Sequence, residues 1–194
     1  MRSALIIIDM QNAFCYPNGS YIKRGFNIVD LGKIIKNIKV LLEWARSEKI
    51  QIIYTKMQFK INYSDGGMLI NKILPVIKNV NGLISNTWDS DIIEDFNIKE
   101  DDLIVEKNKY DAFSNNVLDE FLNSNEINHI YVTGVLTDIC VESTLRSAVT
   151  SEYEVTLISD ACSTIDKDRQ QKAIERIDQN FGNTILTKNL IKNG

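Results

Sequence analysis

Three residues in this sequence have side chains that could do covalent chemistry together, and each follows a short apolar run: Asp9, Lys107 and Cys140. The clearest setting is that of Cys140. Ile130-Tyr131-Val132 reads as a buried strand, Thr133-Gly134 ends it, and from Cys140 the spacing of Val141, Leu145, Ala148 and Val149 becomes helical. A cysteine is thus expected at the first turn of a helix that starts at the carboxyl end of a strand, where helix-end N–H groups favour a thiolate. The same position also suits an ordinary buried cysteine. Asp9 directly follows Ala4-Leu5-Ile6-Ile7-Ile8, and is either a turn carboxylate or a functional one. Lys107 ends the run Leu103-Ile104-Val105, and is either a solvated lysine or a partner for the other two. Together they make a chemical unit. Asp9 can accept the thiol proton where no histidine serves, and the Lys107 ammonium would hold both negative charges and lower the thiol pKa.

The elements that must position these groups can be read in order. Ala4–Ile8 suits a central parallel strand covered on both faces. Asn18-Gly19-Ser20 marks a loop, and Asp30 is expected to cap a long amphipathic helix with Leu31, Ile34, Ile35, Ile38, Leu41, Leu42 and Ala45 on one face. Ile50 to Tyr54 reads as the second strand, reached by a right-handed parallel crossover. Residues 55–102 read as a long, partly irregular excursion that walls a pocket. The third strand, 103–105, is followed by a short helix from Val117 to Leu122, the fourth strand and the Cys140 helix. A fifth strand spans Glu154 to Ile158 and ends at Ser159-Asp160-Ala161-Cys162. A helix from Asp166 to Phe181 and an edge strand from Thr184 to Leu186 complete the chain. Alternating strands and helices imply a three-layer α/β/α sandwich, with Asp9, Lys107 and Cys140 at the sheet edge where ligands bind. If the third strand lies two places from the first, their axes are roughly 10 Å apart. Lys107 would then join only through a loop folded back over the crevice.

Composition narrows the function. At 194 residues, 44% hydrophobic and 25% charged, the chain fits one globular domain over residues 1–194. A net charge of −4 with no basic run argues against a nucleic-acid partner. No apolar run is long enough to span a bilayer, and Met1-Arg2-Ser3 leads into a strand instead of a signal peptide. Cys15, Cys140 and Cys162 are widely spaced and odd in number, so reduced thiols in a cytoplasmic protein are expected. Cys15 is expected near the site mouth and Cys162 packed. The first strand is followed by Asp9-Met10-Gln11-Asn12, not a glycine fingerprint, which disfavours a dinucleotide-binding module.

Three blocks carry a resemblance: Asp9-Met10-Gln11 with Phe14, then Lys107-Asn108-Lys109-Tyr110-Asp111-Ala112-Phe113, then Thr133-Gly134-Val135-Leu136-Thr137-Asp138-Ile139-Cys140-Val141. In order, placement and interval they resemble the signature blocks of the isochorismatase-like cysteine hydrolases, and Asp160-Ala161 also fits. The resemblance implies a six-stranded parallel sheet in the order 3-2-1-4-5-6 and a catalytic triad of Asp9, Lys107 and Cys140. It implies an oxyanion hole from the Leu136 and Cys140 backbone amides, aimed by a cis peptide between Val135 and Leu136. Gln11, Phe14, Tyr110, Phe113 and Thr137, all within or beside these blocks, are the expected substrate contacts. Two positions depart from the pattern: Asp111 stands where serine is usual, and Asn116 where threonine often follows. Both bear on pocket detail.

The nicotinamidase branch binds a metal through aspartate and histidines after the second strand, whereas Thr55-Lys56-Met57-Gln58-Phe59 offers none. The single histidine, His129, cannot assemble a ligand shell, so no metal and no cofactor are expected. Retention of Cys140 favours carbon–nitrogen cleavage over the vinyl-ether hydrolysis of true isochorismatases, which stands as the alternative beside a nicotinamidase-like amidase lacking the usual metal. Asp65-Gly66-Gly67 with Lys72 and Pro75 is similar to the branch acting on N-carbamoyl and ureido amides. The expected partner is thus a small amide or ureido substrate, with Lys56, Lys60 and Arg24 as possible carboxylate contacts. Self-association into a dimer or tetramer is expected from the same resemblance.

Overall fold

Ala4 to Ile8 have no exposed surface, and their side chains alternate between two cores. Leu5 and Ile7 join one cluster, while Ala4, Ile6 and Ile8 join the other. A strand covered on both faces needs such a continuous apolar run, and each Leu or Ile buried this way is worth about 1.5–3 kcal/mol. The computed structural model describes residues 2–193; Met1 and Gly194, the ends of the expected domain, lie outside the described residues.

The strands are β1 (Arg2–Ile8), β2 (Gln51–Met57), β3 (Leu103–Lys107), β4 (Ile127–Val135), β5 (Glu154–Ser163) and β6 (Asn183–Ile185). They form one parallel sheet in the order β3-β2-β1-β4-β5-β6, as the resemblance implies. The helices are α1 (Asn12–Cys15), α2 (Leu31–Ser47), α3 (Pro75–Asn79), α4 (Val117–Ser124), α5 (Glu142–Thr150), α6 (Lys167–Asn180) and α7 (Thr187–Asn193). Ile34, Ile38, Leu41 and Ala45 of α2 and Leu190 of α7 pack in the Leu5–Ile7 cluster. Leu118 and Leu122 of α4, Leu145 and Ala148 of α5 and Ile177 of α6 pack in the other. The three-layer sandwich follows from these two faces.

Several expected boundaries shift. Strands β2, β4 and β5 run further than the apolar runs alone suggest, because polar residues near their ends continue the ladder; β5 extends through Cys162 past a register shift against β4. Asp30 precedes α2 but makes no side-chain cap: its backbone is left-handed, with φ 52°, and its carbonyl accepts from the Lys33 and Ile34 amides. A side-chain cap does form at α6, where Asp166 accepts from the Arg169 amide. Cys140 falls in a wide π-helical turn, Thr137–Val141, that leads into α5, and not in the first α-helical turn.

Residues 58–102 contain only α3, one π turn and two single 3-10 turns between β2 and β3. This excursion is tied back to the sheet. Gln11 pairs with Ile92 across an antiparallel bridge, the Asn12 amide donates to the Asp91 carbonyl, and Phe59 bridges to Ile84.

Candidate active site

Parallel register brings the three strand ends into one crevice. Ile8 stands opposite Gly134 of β4, and Met57 of β2 stands opposite Lys107. Gly134 has a φ of +113°, and a Cβ there would press into the Ile8 carbonyl oxygen. Only glycine lets β4 approach β1 this closely, which brings the Val135–Val141 turn against Asp9. Asp9 itself turns off the sheet in the left-handed region, with φ 48°, and is 1% exposed. A non-glycine residue held there at full burial is a strained position that its neighbours must enforce.

Those neighbours are specific. The Lys107 ammonium donates to Asp9 Oδ2 at 2.6 Å and to the Lys109 carbonyl at 3.2 Å. The Thr55 hydroxyl donates to Asp9 Oδ1 at 2.6 Å and accepts from the Asp9 backbone amide at 3.1 Å. The Cys140 thiol lies close enough to the same carboxylate for Asp9 to act on its protonation. Three groups from three other strands and turns therefore converge on one carboxylate. Lys107 does so as the last residue of β3, extending its side chain past β2, and not from a folded-back loop. Thr55 was not anticipated. A hydroxyl inside a β-branched strand reads as core, and only the parallel register puts it beside Asp9.

The electrostatics correct one expectation. Lys107 was expected to lower the Cys140 pKa, but the thiol is pushed up. Burial is the largest cause and the Asp9 carboxylate adds to it, outweighing Lys107 and the Leu136 backbone amide, which pull it down. Lys107 cannot do more because Asp9 already offsets most of its charge. Burial works against the Lys107 ammonium too, yet Asp9 and then Cys140 raise its pKa overall. Burial thus favours the neutral thiol beside the Lys107–Asp9 ion pair. Cys15 and Cys162 are also free and buried, each pushed up to about 12, mainly by burial. Cys15 packs into the core at 6% exposure and does not line the mouth, as was expected of it.

Next to Cys140 lies a small pocket, with a cavity volume of about 50 Å³. Phe14 and Tyr110, two expected contacts, line it with Val135, Leu136, Ile139 and Cys140. The excursion supplies its far wall through Phe59, Leu69, Ile70, Leu74, Ile77 and Leu83, as a pocket-walling loop should. Tyr21 also lines it, and its phenol pKa is pushed up to about 12 by burial first and then by the nearby Cys140.

Three expected contacts do not line this pocket. Gln11 is fully buried and spent on the backbone. Its Nε2 donates to the carbonyls of Met57 and Ser90 at 2.8 and 2.7 Å, and its Oε1 accepts from the Met57 amide at 2.8 Å. It clamps the excursion to the sheet edge. Phe113 instead packs against Tyr153, with ring centroids 5.7 Å apart. Thr137 is buried at the start of the π turn, with a hydroxyl that has no partner. Lys56 pairs with Asp91 at 3.0 Å, and neither Lys60 nor Arg24 is in the lining. Asp111, the residue in the usual serine position, accepts from the Phe113 amide and the Ser147 hydroxyl, pinning that loop to α5.

The Val135–Leu136 peptide is cis, and the Leu136 amide acts on the Cys140 sulfur. Among the described residues no three His, Cys, Asp or Glu side chains are placed to hold a metal ion, and no helix is long and apolar enough to cross a membrane.

Comparison with known proteins agrees with this geometry. The isochorismatase-domain family profile matches residues 3–189. The ureidoacrylate amidohydrolase RutB of Caulobacter vibrioides is 33% identical over 182 residues, covering 88% of this chain and 81% of that protein. A cysteine hydrolase from Pseudomonas syringae pv. phaseolicola superposes with a TM-score of 0.89 at 29% identity, over 98% of this chain and 91% of that one. The N-carbamoylsarcosine amidase of Thermoplasma acidophilum, at 20% identity and a TM-score of 0.78 over 96% and 97% of the two chains, shares the fold.

Proposed function

The chain belongs to the isochorismatase family, and from that premise we propose that it is a metal-independent cysteine hydrolase that cleaves a C–N bond of a small amide or ureido compound. One observation carries the reading: a buried carboxylate, Asp9, that receives a hydrogen bond from the Lys107 ammonium and acts on the neighbouring Cys140 thiol. A thiol, a base and a cation in mutual contact form a unit for nucleophilic acyl transfer. The named relative, an amidohydrolase acting on a ureidoacrylate, supports the bond type.

The chemistry follows from the contacts. Asp9 takes the thiol proton as sulfur bonds to the substrate carbonyl carbon, so the charge need not exist before substrate arrives. The raised thiol pKa fits this timing. The carbonyl electrons move onto oxygen, where the Leu136 and Cys140 backbone amides receive them. Collapse of that intermediate breaks the C–N bond, and Asp9 returns its proton to the departing nitrogen. An S-acyl enzyme remains. Asp9 then takes a proton from water, hydroxide adds to the thioester carbon, and sulfur leaves with the proton restored. The products are an amine or ammonia and a carboxylic or carbamic acid. Lys107 holds Asp9 and balances its charge, and Thr55 fixes the other carboxylate oxygen.

Free thiols support a reducing, cytoplasmic setting. Exposed Ile61, Met68 and Ile73 on the excursion support self-association, which sedimentation would read. The test of function is an ammonia-release screen over carbamoyl compounds, ureido acids and simple carboxamides, with Cys140→Ala as blank. Turnover of a member of these classes that survives exhaustive chelation is the expected result. Turnover that is lost to a chelator and restored by zinc or manganese would overturn metal independence. Silence across every class would overturn the function.

A further inference from the structure

The pocket beside Cys140 has a chemical character that narrows the substrate. Its lining contains no Asp, Glu, Lys, Arg or His: the walls are Phe, Leu, Ile, Val and Met, and the polar side chains are those of Tyr21, Tyr110 and Cys140. Three cations around the site are already committed, and Arg24, three residues from Tyr21 with a buried Nε that has no partner, stays outside the lining. Lys107 is 3% exposed and bonded to Asp9, Arg169 is bonded to Asp138 at 2.7 Å, and Lys56 to Asp91 at 3.0 Å. The exposed Lys109 lies near Gly67, outside the lining.

A carboxylate carried into such walls would lose its hydration with no cation in the lining to replace it, and the charge it would meet is that of Asp9. An apolar substituent of the same shape loses nothing and gains contact area on Phe59, Leu69, Ile77 and Leu83. Burial pushes the Tyr21 and Tyr110 phenols up, as expected of a pocket that disfavours anions.

Resting on the C–N hydrolase reading above, we propose that this pocket selects an uncharged amide or carbamoyl compound with an apolar substituent, and discriminates against ureido acids whose carboxylate would enter the same walls. The substrate class thus differs in charge from a ureidoacrylate, although the bond broken is of the same kind.

The test uses isosteric pairs: 3-methylbutylurea against 3-ureidopropionate, and 4-methylpentanamide against succinamate. Wild-type kcat/KM is measured by ammonia release, and Kd is measured by calorimetry on Cys140→Ala. The neutral member should win by at least about 30-fold in both readouts. Equal or better turnover of the anionic members would overturn the charge preference while leaving the C–N hydrolase function standing. Loss of turnover with all four compounds would count against the function, and the Kd values would still decide the pocket. Tighter binding of the neutral members supports the proposal; tighter binding of the anions, or no binding of the neutral members, overturns it.

Discussion

Replacing Thr55 with valine tests whether Asp9 works because it is held, and not merely because it is present. The Thr55 hydroxyl makes two bonds to one residue, donating to Oδ1 at 2.6 Å and accepting from the backbone amide at 3.1 Å. Valine keeps the branched shape of a fully buried side chain and removes both. A hydrogen bond to a charged group is worth about 1.5–3 kcal/mol. At about 1.36 kcal/mol per tenfold in rate, losing that amount of positioning lowers kcat roughly 10- to 150-fold. KM should move little, because Thr55 does not line the substrate pocket. The stranded Asp9 amide should separately cost about 1–3 kcal/mol of folding stability, read by urea unfolding. Thr55→Ser restores the hydroxyl and should recover most of kcat. A folded Thr55→Val enzyme within twofold of wild-type kcat would refute the positioning argument, as would a Thr55→Ser variant equally impaired.

Other expectations follow from the same contacts. Gly134→Ala puts a Cβ into the Ile8 backbone at a φ of +113°, so it should cost at least about 1–3 kcal/mol and lower the melting temperature by several degrees; an unchanged melt would contradict the close β1–β4 approach. His129 is buried beside the Thr156 hydroxyl at 2.9 Å, and burial holds its pKa below the ordinary 6.5, with Glu154 opposing in part. The unfolded chain therefore binds this proton more readily, so stability is present above about pH 6.5 and declines as pH falls through that value. His129→Gln should flatten the urea-midpoint slope between pH 7.5 and 5.5; an unchanged slope would assign the loss to other groups. Lys107→Met leaves Asp9 buried without its cation and should cost about 3–5 kcal/mol along with turnover, checked by paired unfolding and activity measurements.

How far the sequence alone could reach depended on the distance between partners. Asp9, Lys107 and Cys140 were visible because each closes an apolar run, and such runs end at the same sheet edge. The clamp made by Gln11 was not visible, since its partners Met57 and Ser90 lie 46 and 79 residues away and only the folded excursion brings them together. A glutamine two residues from Asp9 therefore read as a substrate contact. Thr55 and Tyr21 were missed for a related reason: a strand threonine and a loop tyrosine have no local pattern that sets them apart from core. Lys107 does pull the Cys140 pKa down, but the net direction is upward because the thiol's burial, which the sequence does not show, outweighs it, and Asp9 adds to that. Asp30 looked like a cap by type, yet its left-handed backbone leaves the side chain without a cap bond.

The central claim is that Cys140 sulfur bonds to the acyl carbon of the substrate. Rapid acid quench during turnover, followed by digestion and mass spectrometry, reads that bond directly. The account predicts an acyl or carbamoyl mass increment on the peptide containing Cys140, which forms and decays with turnover and is absent from Cys140→Ala. A Cys140→Ala enzyme that still turns over substrate, with no adduct on the wild type, would contradict it.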